Sequence, residues 1–350
     1  MTQLSTTDEN KSGIYSTVDI CKLIAAVLVV FIHANTLHTD RFFNMFDFAF
    51  TRFCVPFFFM VLGYFFENHI RNASDKHMFF RKYLRNTLML YAVWVLLWLP
   101  RNIVMYCDLY PTQSWLYITM VLIRRYLFCG EGVYWYILIT AESAAVIYWL
   151  IRLNKEKYLW ILIFVGLLAG AVYDNHQFFD SKIVSIIHDS IYFVFSWSNN
   201  FIMKGIPFMG IGYLISKNSA EHQLPSVEIL SAAFLLASFT NVVIYLHGID
   251  FELMFIVQAV TYFCFSIQYK LKIKYKSSLV IRELSSSIYF LHTIFLYFVI
   301  EKIWSPELFI PLKVTCSILM SLIVYSCIKQ LNKFHRLQYA NFLLIIKEHK

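Results

Sequence analysis

Charged side chains are scarce in this chain of 350 residues, since Asp, Glu, Lys and Arg together make up only 15% of it. In water-soluble domains of ordinary composition, about a quarter of the residues are charged. Hydrophobic residues account for 59% of the sequence, and the mean hydropathy is +0.58. This composition excludes an ordinary soluble globular protein and predicts a polytopic membrane protein.

Linkers, repeats and paired cysteine motifs are also missing. No stretch rich in Pro, Gly or Ser separates two regions, and no repeat of fixed period or low-complexity tract occurs. We therefore expect no second, soluble domain. The seven cysteines show no C-x-x-C spacing, so we predict no metal site. Cys107 and Cys129 could both face the outer side and form a disulfide, but free buried thiols are the simpler expectation.

Long apolar stretches dominate what is present. About ten of them approach the length of about 20 residues that crosses a bilayer, and open sheets cannot satisfy their backbone groups there. The predicted fold is therefore all-α, a polytopic membrane helix bundle of about ten transmembrane helices spanning 18–330. We expect a cytoplasmic segment at 1–17 and an amphipathic cytoplasmic tail at 331–350. The predicted spans are 18–37, 46–66, 84–105, 132–151, 157–173, 200–216, 227–246, 252–269, 284–303 and 308–328.

The net charge of +8 is distributed unevenly between the predicted loops. With the N-terminus in the cytoplasm, 20 lysines and arginines fall on the inner side. Only Arg41, Arg124, Arg125 and Lys182 fall outside. This asymmetry follows the positive-inside rule and predicts a multi-pass plasma-membrane protein with both termini cytoplasmic. Anionic lipid then accounts for the basic charge, and we expect the lipid bilayer, not nucleic acid, as a partner.

The first span carries three ionisable residues, Asp19, Lys22 and His33. At about 100° per residue all three point the same way. Ionisable groups at bilayer depth are costly and often functional. Two plainer interpretations stay open: Asp19 and Lys22 neutralise each other, or His33 is a satisfied packing residue. Asp19 lies about 21 Å from His33 along the helix, so any group that orients the imidazole must come from another helix.

Three cations, Arg81, Lys82 and Arg85, lie on the inner side where the chain leaves a loop predicted at 67–83 and enters the third span. Such a cluster suits a phosphate-bearing ligand. Ordinary inner-side charge explains the same residues almost as well.

Two further spans carry polar candidates. Glu142 falls midway along the fourth span, where a carboxylate needs a partner or a proton. Trp135 and Tyr136 open the same span and suit either an interfacial aromatic belt or a binding site. In the ninth span Tyr289 and His292 are three residues apart and share a face.

In their order these motifs resemble those of the bacterial acyltransferase-3 family of membrane proteins. The first span has the form Asp-x-x-Arg/Lys, ten residues, then His. Similar matches follow: Val-Pro-Phe-Phe through Gly63-Tyr64, the Trp-Tyr pair, Ile206–Tyr213, and Ser-x-x-Tyr-x-x-His. The resemblance covers about 15–335. It aligns His33 with the essential histidine of the family and Lys22 with a position usually held by arginine.

The resemblance implies an acyltransferase with acyl-CoA, expected to be acetyl-CoA, as the donor substrate and no permanently bound cofactor. The acceptor would be a hydroxyl of a cell-envelope polysaccharide or glycolipid. Lys82 and Arg85 match an Arg-x-x-Arg pair and would, with Arg81, hold the nucleotide phosphates. His33 would be the general base, with Glu142 or Tyr289 as a partner in proton transfer.

A closer similarity is to the membrane half of the vancomycin-resistance serine racemases, in the runs Leu23–His33 and Tyr83–Pro100. That half is thought to handle serine transport. A transporter for serine or another small solute is therefore the alternative to an enzyme. A degenerate scaffold is a third possibility, because Lys22, Lys82 and Leu62 depart from the residues that the family usually has.

Overall fold

A computed structural model describes residues 15–34, 40–130, 132–176, 181–219, 223–248, 253–300 and 310–335, with backbone alone for 133, 298–300 and 331–335. This part of the chain is almost wholly helical and contains no strand. Short π-helical or 3-10 turns lie at Arg125–Cys129, Gly132–Tyr134, Glu156–Tyr158, Phe201–Gly205 and Phe295–Ile300. The α-helices are α1 (Ser16–Ala34), α2 (Arg41–Phe50), α3 (Cys54–Asn72), α4 (Lys76–Leu109), α5 (Trp115–Arg124), α6 (Trp135–Arg152), α7 (Leu159–Asp174), α8 (Lys182–Phe195), α9 (Ile206–Asn218), α10 (Val227–Leu246), α11 (Met254–Gln268), α12 (Tyr275–Ile294) and α13 (Ile310–His335).

The predicted all-α membrane fold is confirmed. Within the described residues, 7 helical segments are long and apolar enough to cross a membrane, and they correspond to seven of the ten predicted spans. The other three predicted spans fall on α6, α9 and α11, which have 18, 13 and 15 residues. The predicted tail from 336 onward and residues 1–14 lie outside the described residues.

The second predicted span, 46–66, is interrupted. Helix α2 ends at Phe50 and α3 begins at Cys54. The Thr51 hydroxyl donates to the Asp47 backbone oxygen at 2.7 Å and to its carboxylate at 2.5 Å, which closes the end of α2. Pro56 then lies in the first turn of α3, where its missing N–H costs no intrahelical bond. The proline therefore starts a helix and does not kink one.

The prediction of a loop over 67–83 is wrong. Helix α3 continues to Asn72 and α4 begins at Lys76, so only three residues separate them. Asp75 caps α4 by accepting hydrogen bonds from the backbone N–H groups of His77 at 2.8 Å and Met78 at 2.9 Å. With 34 residues, α4 is about 51 Å long and exceeds the roughly 30 Å hydrocarbon thickness. The helix is therefore longer than an untilted span requires.

The chain divides into two compact units. Unit 1 comprises Met1–Phe58 and Leu224–Lys350, and unit 2 comprises Phe59–Gln223. The division falls inside α3.

In unit 1, helices α1 and α12 pack side by side and run parallel. Near their starts, Asp19 binds Arg282. Near their ends, the rings of His33 and His292 lie 5.2 Å apart. The pairing confirms that Asp19 and His33 share one face of α1, as the helical period predicts.

Helix α13 runs antiparallel to α12. Ser317 near its start donates to the backbone oxygen of His292 at 3.0 Å, and Tyr325 further along donates to the Glu283 carboxylate. Consequently the start of α1 and the end of α13 lie at the same end of this three-helix group.

The rest of unit 1 is held in register by one buried amide. The Gln258 side chain on α11 is fully buried and donates to the Ala49 backbone oxygen at 2.7 Å and to the Ser238 hydroxyl at 2.8 Å. Its oxygen accepts from Asn241 at 3.0 Å. Because this one residue contacts α2 and α10 at once, sliding any of the three helices would leave buried polar atoms unpaired.

In unit 2, α3 and α9 approach each other through two glycines. A Cβ atom on Gly63 would lie 1.9 Å from the Met209 backbone oxygen, and one on Gly212 would lie 2.0 Å from that of Met60. Both contacts are with backbone, which cannot rotate away. Small residues that let helix backbones approach are typical of membrane helix packing. Gly63 and Gly212 therefore permit the close approach of α3 and α9.

All seven cysteines are free, so Cys107 and Cys129 do not pair. The expectation of free thiols is confirmed.

Gly63→Ala and Gly212→Ala should each lower the free energy of unfolding by about 2 kcal/mol or more, because α3 and α9 must separate to admit a methyl group. Thermal unfolding of the purified protein in detergent measures the loss. Gly170→Ala is the matched control, since a Cβ there meets Met203 at an ordinary 3.5 Å. Equal melting temperatures for all three variants would contradict the close packing.

Candidate functional site

Two histidines from distant parts of the sequence meet in unit 1. The His33 and His292 ring centroids are 5.2 Å apart and the ring planes are inclined by 37°. His292 is fully buried, whereas His33 is half-buried. The sequence singled out both residues but gave no reason to pair them.

The backbone fixes the tautomer of neutral His292. Its Nδ1 lies 3.0 Å from the Ile288 carbonyl oxygen, one helical turn earlier. A carbonyl only accepts hydrogen bonds, so Nδ1 carries the proton and Nε2 carries a lone pair. Within the described residues this buried Nε2 has no hydrogen-bond partner. An unsatisfied polar atom at this depth is costly and points to a functional group that acts on a ligand.

Aromatic and acidic side chains border the histidine pair. The Tyr289 ring is 6.3 Å from that of His292 and packs on Phe58 at 5.5 Å. From α2, the charge of the buried Asp47 carboxylate acts on the His33 ring. Asp47 is itself held by Arg52 at 3.1 Å. No pattern in the amino-acid sequence identifies Asp47 as a neighbour of His33. Its position in a helix separate from α3 depends on the break after Phe50.

Asp19 has a different main partner from the one expected. Its side chain, only 4% exposed, accepts from Arg282 Nε at 3.0 Å and Nη2 at 3.1 Å, a bidentate pair. Ser278 adds a third hydrogen bond at 2.7 Å. Lys22 is half-buried, attracted by Asp19 and repelled by Arg282. The charge of the Asp19 carboxylate is therefore compensated without Lys22. The interpretation that Lys22 is the main partner of Asp19 is wrong, because Arg282 takes that place.

The residues predicted in the fourth span lie in unit 2. The Trp135 and Tyr136 rings pack against Phe59 at centroid distances of 6.0 and 4.6 Å. Glu142 is on α6, and its buried Oε2 has no hydrogen-bond partner among the described residues. Trp135 and Tyr136 therefore serve packing at least in part, whereas Glu142 keeps the character of a functional candidate.

Arg81, Lys82 and Arg85 lie on the first turns of α4 and are all exposed. Arg81 and Arg85 are four residues apart and share a face. None of the three forms an ion pair within the described part of the chain. Their charges are available to an anion in solution.

The histidine pair is suited to proton transfer. Across the described residues, no group of three or more His, Cys, Asp or Glu side chains could hold a metal ion. The histidine pair offers a nitrogen lone pair in a buried setting, and two imidazolium rings so close would repel each other. The pair is therefore suited to accept one proton at a time.

The profile of the acyltransferase-3 family, described as an acyltransferase domain, matches residues 15–328. The chain belongs to this family. Among curated proteins it is similar to an amino-acid racemase of Enterococcus faecalis, with 23% identity over 220 residues. That alignment covers 61% of this chain and 30% of the racemase, so the chain spans less than a third of the length of that relative. No solved structure matches the chain.

The bidentate pair between Asp19 and Arg282 predicts an asymmetric mutation cycle. Arg282→Gln should cost about 3 kcal/mol, because it strands a buried carboxylate. Asp19→Asn should cost less, about 1 kcal/mol, since Arg282 is 46% exposed and can reach water. The double variant should recover much of the Arg282→Gln loss, and thermal unfolding in detergent measures all three. Additive losses, or a larger loss for Asp19→Asn, would refute the assignment. Arg152→Gln, at an exposed position without an ion pair in the described residues, is the control.

Proposed function

We propose that this protein transfers an acyl group from acyl-CoA, with acetyl-CoA the expected donor, to a hydroxyl of a cell-envelope polysaccharide or glycolipid. The observation that carries the proposal is the contact of half-buried His33 with fully buried His292, whose Nε2 carries a lone pair and has no partner in the described structure. Membership of an acyltransferase family supports the reaction class.

In the proposed reaction His33 is the general base. Its imidazole removes the proton from the acceptor hydroxyl as the oxygen attacks the thioester carbonyl carbon. The new C–O bond forms, the C–S bond breaks, and the imidazolium returns the proton to the departing sulfur. The free thiol and the ester are the products, and no metal or redox step is needed.

Two neighbours support this base: His292 through its lone pair, and Tyr289 as a candidate partner in proton transfer. The neutral tautomer of His292 presents a lone pair that can accept a hydrogen bond from an acceptor hydroxyl or from the His33 ring. Asp47 stabilises the imidazolium that forms on His33. Glu142 remains a candidate acid or base, and its evidence is confined to unit 2.

For the donor we propose that Arg81, Lys82 and Arg85 bind its phosphates. Their exposure and lack of ion pairs in the described residues support the assignment. Arginine binds phosphate through a planar fork of donors, and lysine acts as a point charge. Lys22 is a further donor-binding candidate because Arg282 already compensates Asp19. Trp135 and Tyr136 remain predicted donor contacts.

We also propose that the chain lies in a bacterial plasma membrane with both termini cytoplasmic. The excess of cations on the predicted inner loops supports this orientation. The shared end of α1 and α13 in unit 1 is compatible with it.

The second candidate function is transport of a serine-like amino acid. The observation that favours it is the relative named an amino-acid racemase, of which this chain matches only part. Uptake of labelled serine into vesicles containing the protein, without acyl transfer to any envelope acceptor, would favour transport.

His33→Ala and His292→Ala should each lower acyl transfer by about a hundredfold or more, as expected for loss of a proton-transferring group. The measurement is transfer of labelled acetyl from acetyl-CoA to envelope material in membranes containing each variant. His247→Ala is the matched control, because His247 makes the same bond to the backbone four residues earlier, at 2.8 Å, but is exposed. Near-normal transfer by His33→Ala in a folded protein would remove the proposed base.

Replacing Arg81, Lys82 and Arg85 with Gln should weaken binding of CoA by about tenfold or more, because charge-assisted hydrogen bonds to phosphate are lost. Titration calorimetry of the detergent-purified protein measures the dissociation constant. The control replaces Arg152, Lys155 and Lys157, which are also exposed in unit 2. Equal weakening by both triple variants would mean that only net charge matters.

A further inference from the structure

A row of lysines joins α11 to α12 in unit 1. Lys270, Lys272 and Lys274 alternate with apolar residues, and Lys276 follows in the first turn of α12. All four are exposed, whereas Leu271 and Ile273 between them are half-buried. We call Lys270, Lys272, Lys274 and Lys276 the lysine strip.

The backbone explains why these lysines face one way. Tyr269 and Lys274 at the two ends of the segment have φ/ψ angles of −74°/123° and −59°/138°, and exposure alternates from Lys270 to Lys274, as in an extended chain. Successive side chains of an extended chain point to opposite faces. Lys270, Lys272 and Lys274 therefore share the outward face, spread over about 13 Å at about 3.3 Å per residue.

This segment is fixed to the start of α1. The Thr17 hydroxyl donates to the Tyr269 backbone oxygen at 2.5 Å and accepts from the Leu271 backbone N–H at 3.0 Å. Beyond the strip, Ser278 donates to Asp19 at 2.7 Å. Because both ends are tied to α1, the lysines are presented in a fixed arrangement and a ligand need not order the segment.

The acidic groups Asp19 and Glu283 are paired with other cations, Arg282 and Lys329. No Asp or Glu occurs between residues 253 and 282. In the described structure none of the four lysines forms an ion pair. Exposed rings flank the strip at Tyr269 and Tyr275, 42% and 44% accessible, and an apolar segment long enough to cross a membrane begins at Tyr275. Tyrosine and lysine together at the end of a span are typical of the lipid headgroup level.

We propose that the lysine strip binds the phosphates of anionic phospholipid headgroups. Four point charges spread along a line and facing outward match an array of phosphates at a membrane surface. They do not converge on a single point, as binding of one soluble phosphate compound would require. Basic clusters directly beside a membrane span attract anionic lipid through this charge. The inference is independent of the proposed acyl transfer.

The test compares full-length proteins purified in detergent and titrated with phosphatidylglycerol or phosphatidylcholine, counting bound lipids by native mass spectrometry. Replacing the four lysines of the strip with Gln should weaken phosphatidylglycerol binding about tenfold or more and leave phosphatidylcholine binding unchanged. Replacing all four with Arg should preserve binding. The charge-matched control replaces Lys76, Arg152, Lys155 and Lys157 with Gln, all exposed in unit 2.

Three results would overturn the proposal. The first is unchanged phosphatidylglycerol binding in the strip variant, and the second is an equal loss in the charge-matched control. The third is displacement of phosphatidylglycerol from the strip by free CoA, which would identify a soluble phosphate ligand. Should the fourfold variant have a lowered melting temperature, the double variants at Lys270 with Lys272 and at Lys274 with Lys276 replace it. Each double variant should then show part of the loss.

Discussion

Unit 1 depends on the parallel packing of α1 against α12, and one ion pair between the buried Asp19 carboxylate and the half-exposed Arg282 sets the register of the two helices. The Asp19 carboxylate cannot leave its site without losing three hydrogen bonds, two of them from Arg282. Removing one partner of a buried pair costs more than the pair itself contributes, because the remaining charge stays buried. Further along the same two helices, about four turns on α1 and about three turns on α12, His33 faces His292. The ion pair thus holds the two imidazoles at matching depth.

Most polar side chains on these apolar helices are satisfied within one or two turns. Hydroxyls such as those of Thr261 and Ser287 donate to backbone oxygens four residues earlier. The Gln258 amide on α11 forms its hydrogen bonds with groups on α2 and α10. Against this background an unpartnered buried atom is informative. Within the described residues His292 Nε2 and Glu142 Oε2 are two such atoms, one in each unit. Residues that a fold leaves unsatisfied at depth are the best candidates for chemistry.

The structure also separates general features of membrane packing from features specific to a site. The glycines at 63 and 212 bring two backbones together and belong to packing, although they occur in motifs that the family shares. Trp135 and Tyr136 likewise pack on Phe59. The histidine pair has no comparable packing explanation for its free nitrogen. For that reason the proposed reaction is assigned to His33 and His292, and not to the more abundant aromatic residues.

The all-α membrane fold could be predicted from the amino-acid sequence, because a bilayer requires long apolar segments whose backbone bonds close within each segment. The shared face of Asp19 and His33 on α1 could be predicted as well, because it follows from the helical period whatever the two side chains meet. The close approach at Gly63 followed from the absence of a side chain. These are local properties of neighbouring residues.

The partners of Asp19 and His33 could be identified only from the packing of the helices. Arg282 lies 263 residues from Asp19 in the sequence. From the sequence it is one of many cations on the inner side, and only the packing of α12 against α1 makes it the partner of Asp19. The contact of His33 with His292 and the approach of Asp47 depend in the same way on helix register and on the break between α2 and α3. Hydropathy and the helical period predict which charged side chains are buried, and a buried charge needs a partner. The choice among distant candidates is made by packing, since any helix can supply the compensating group.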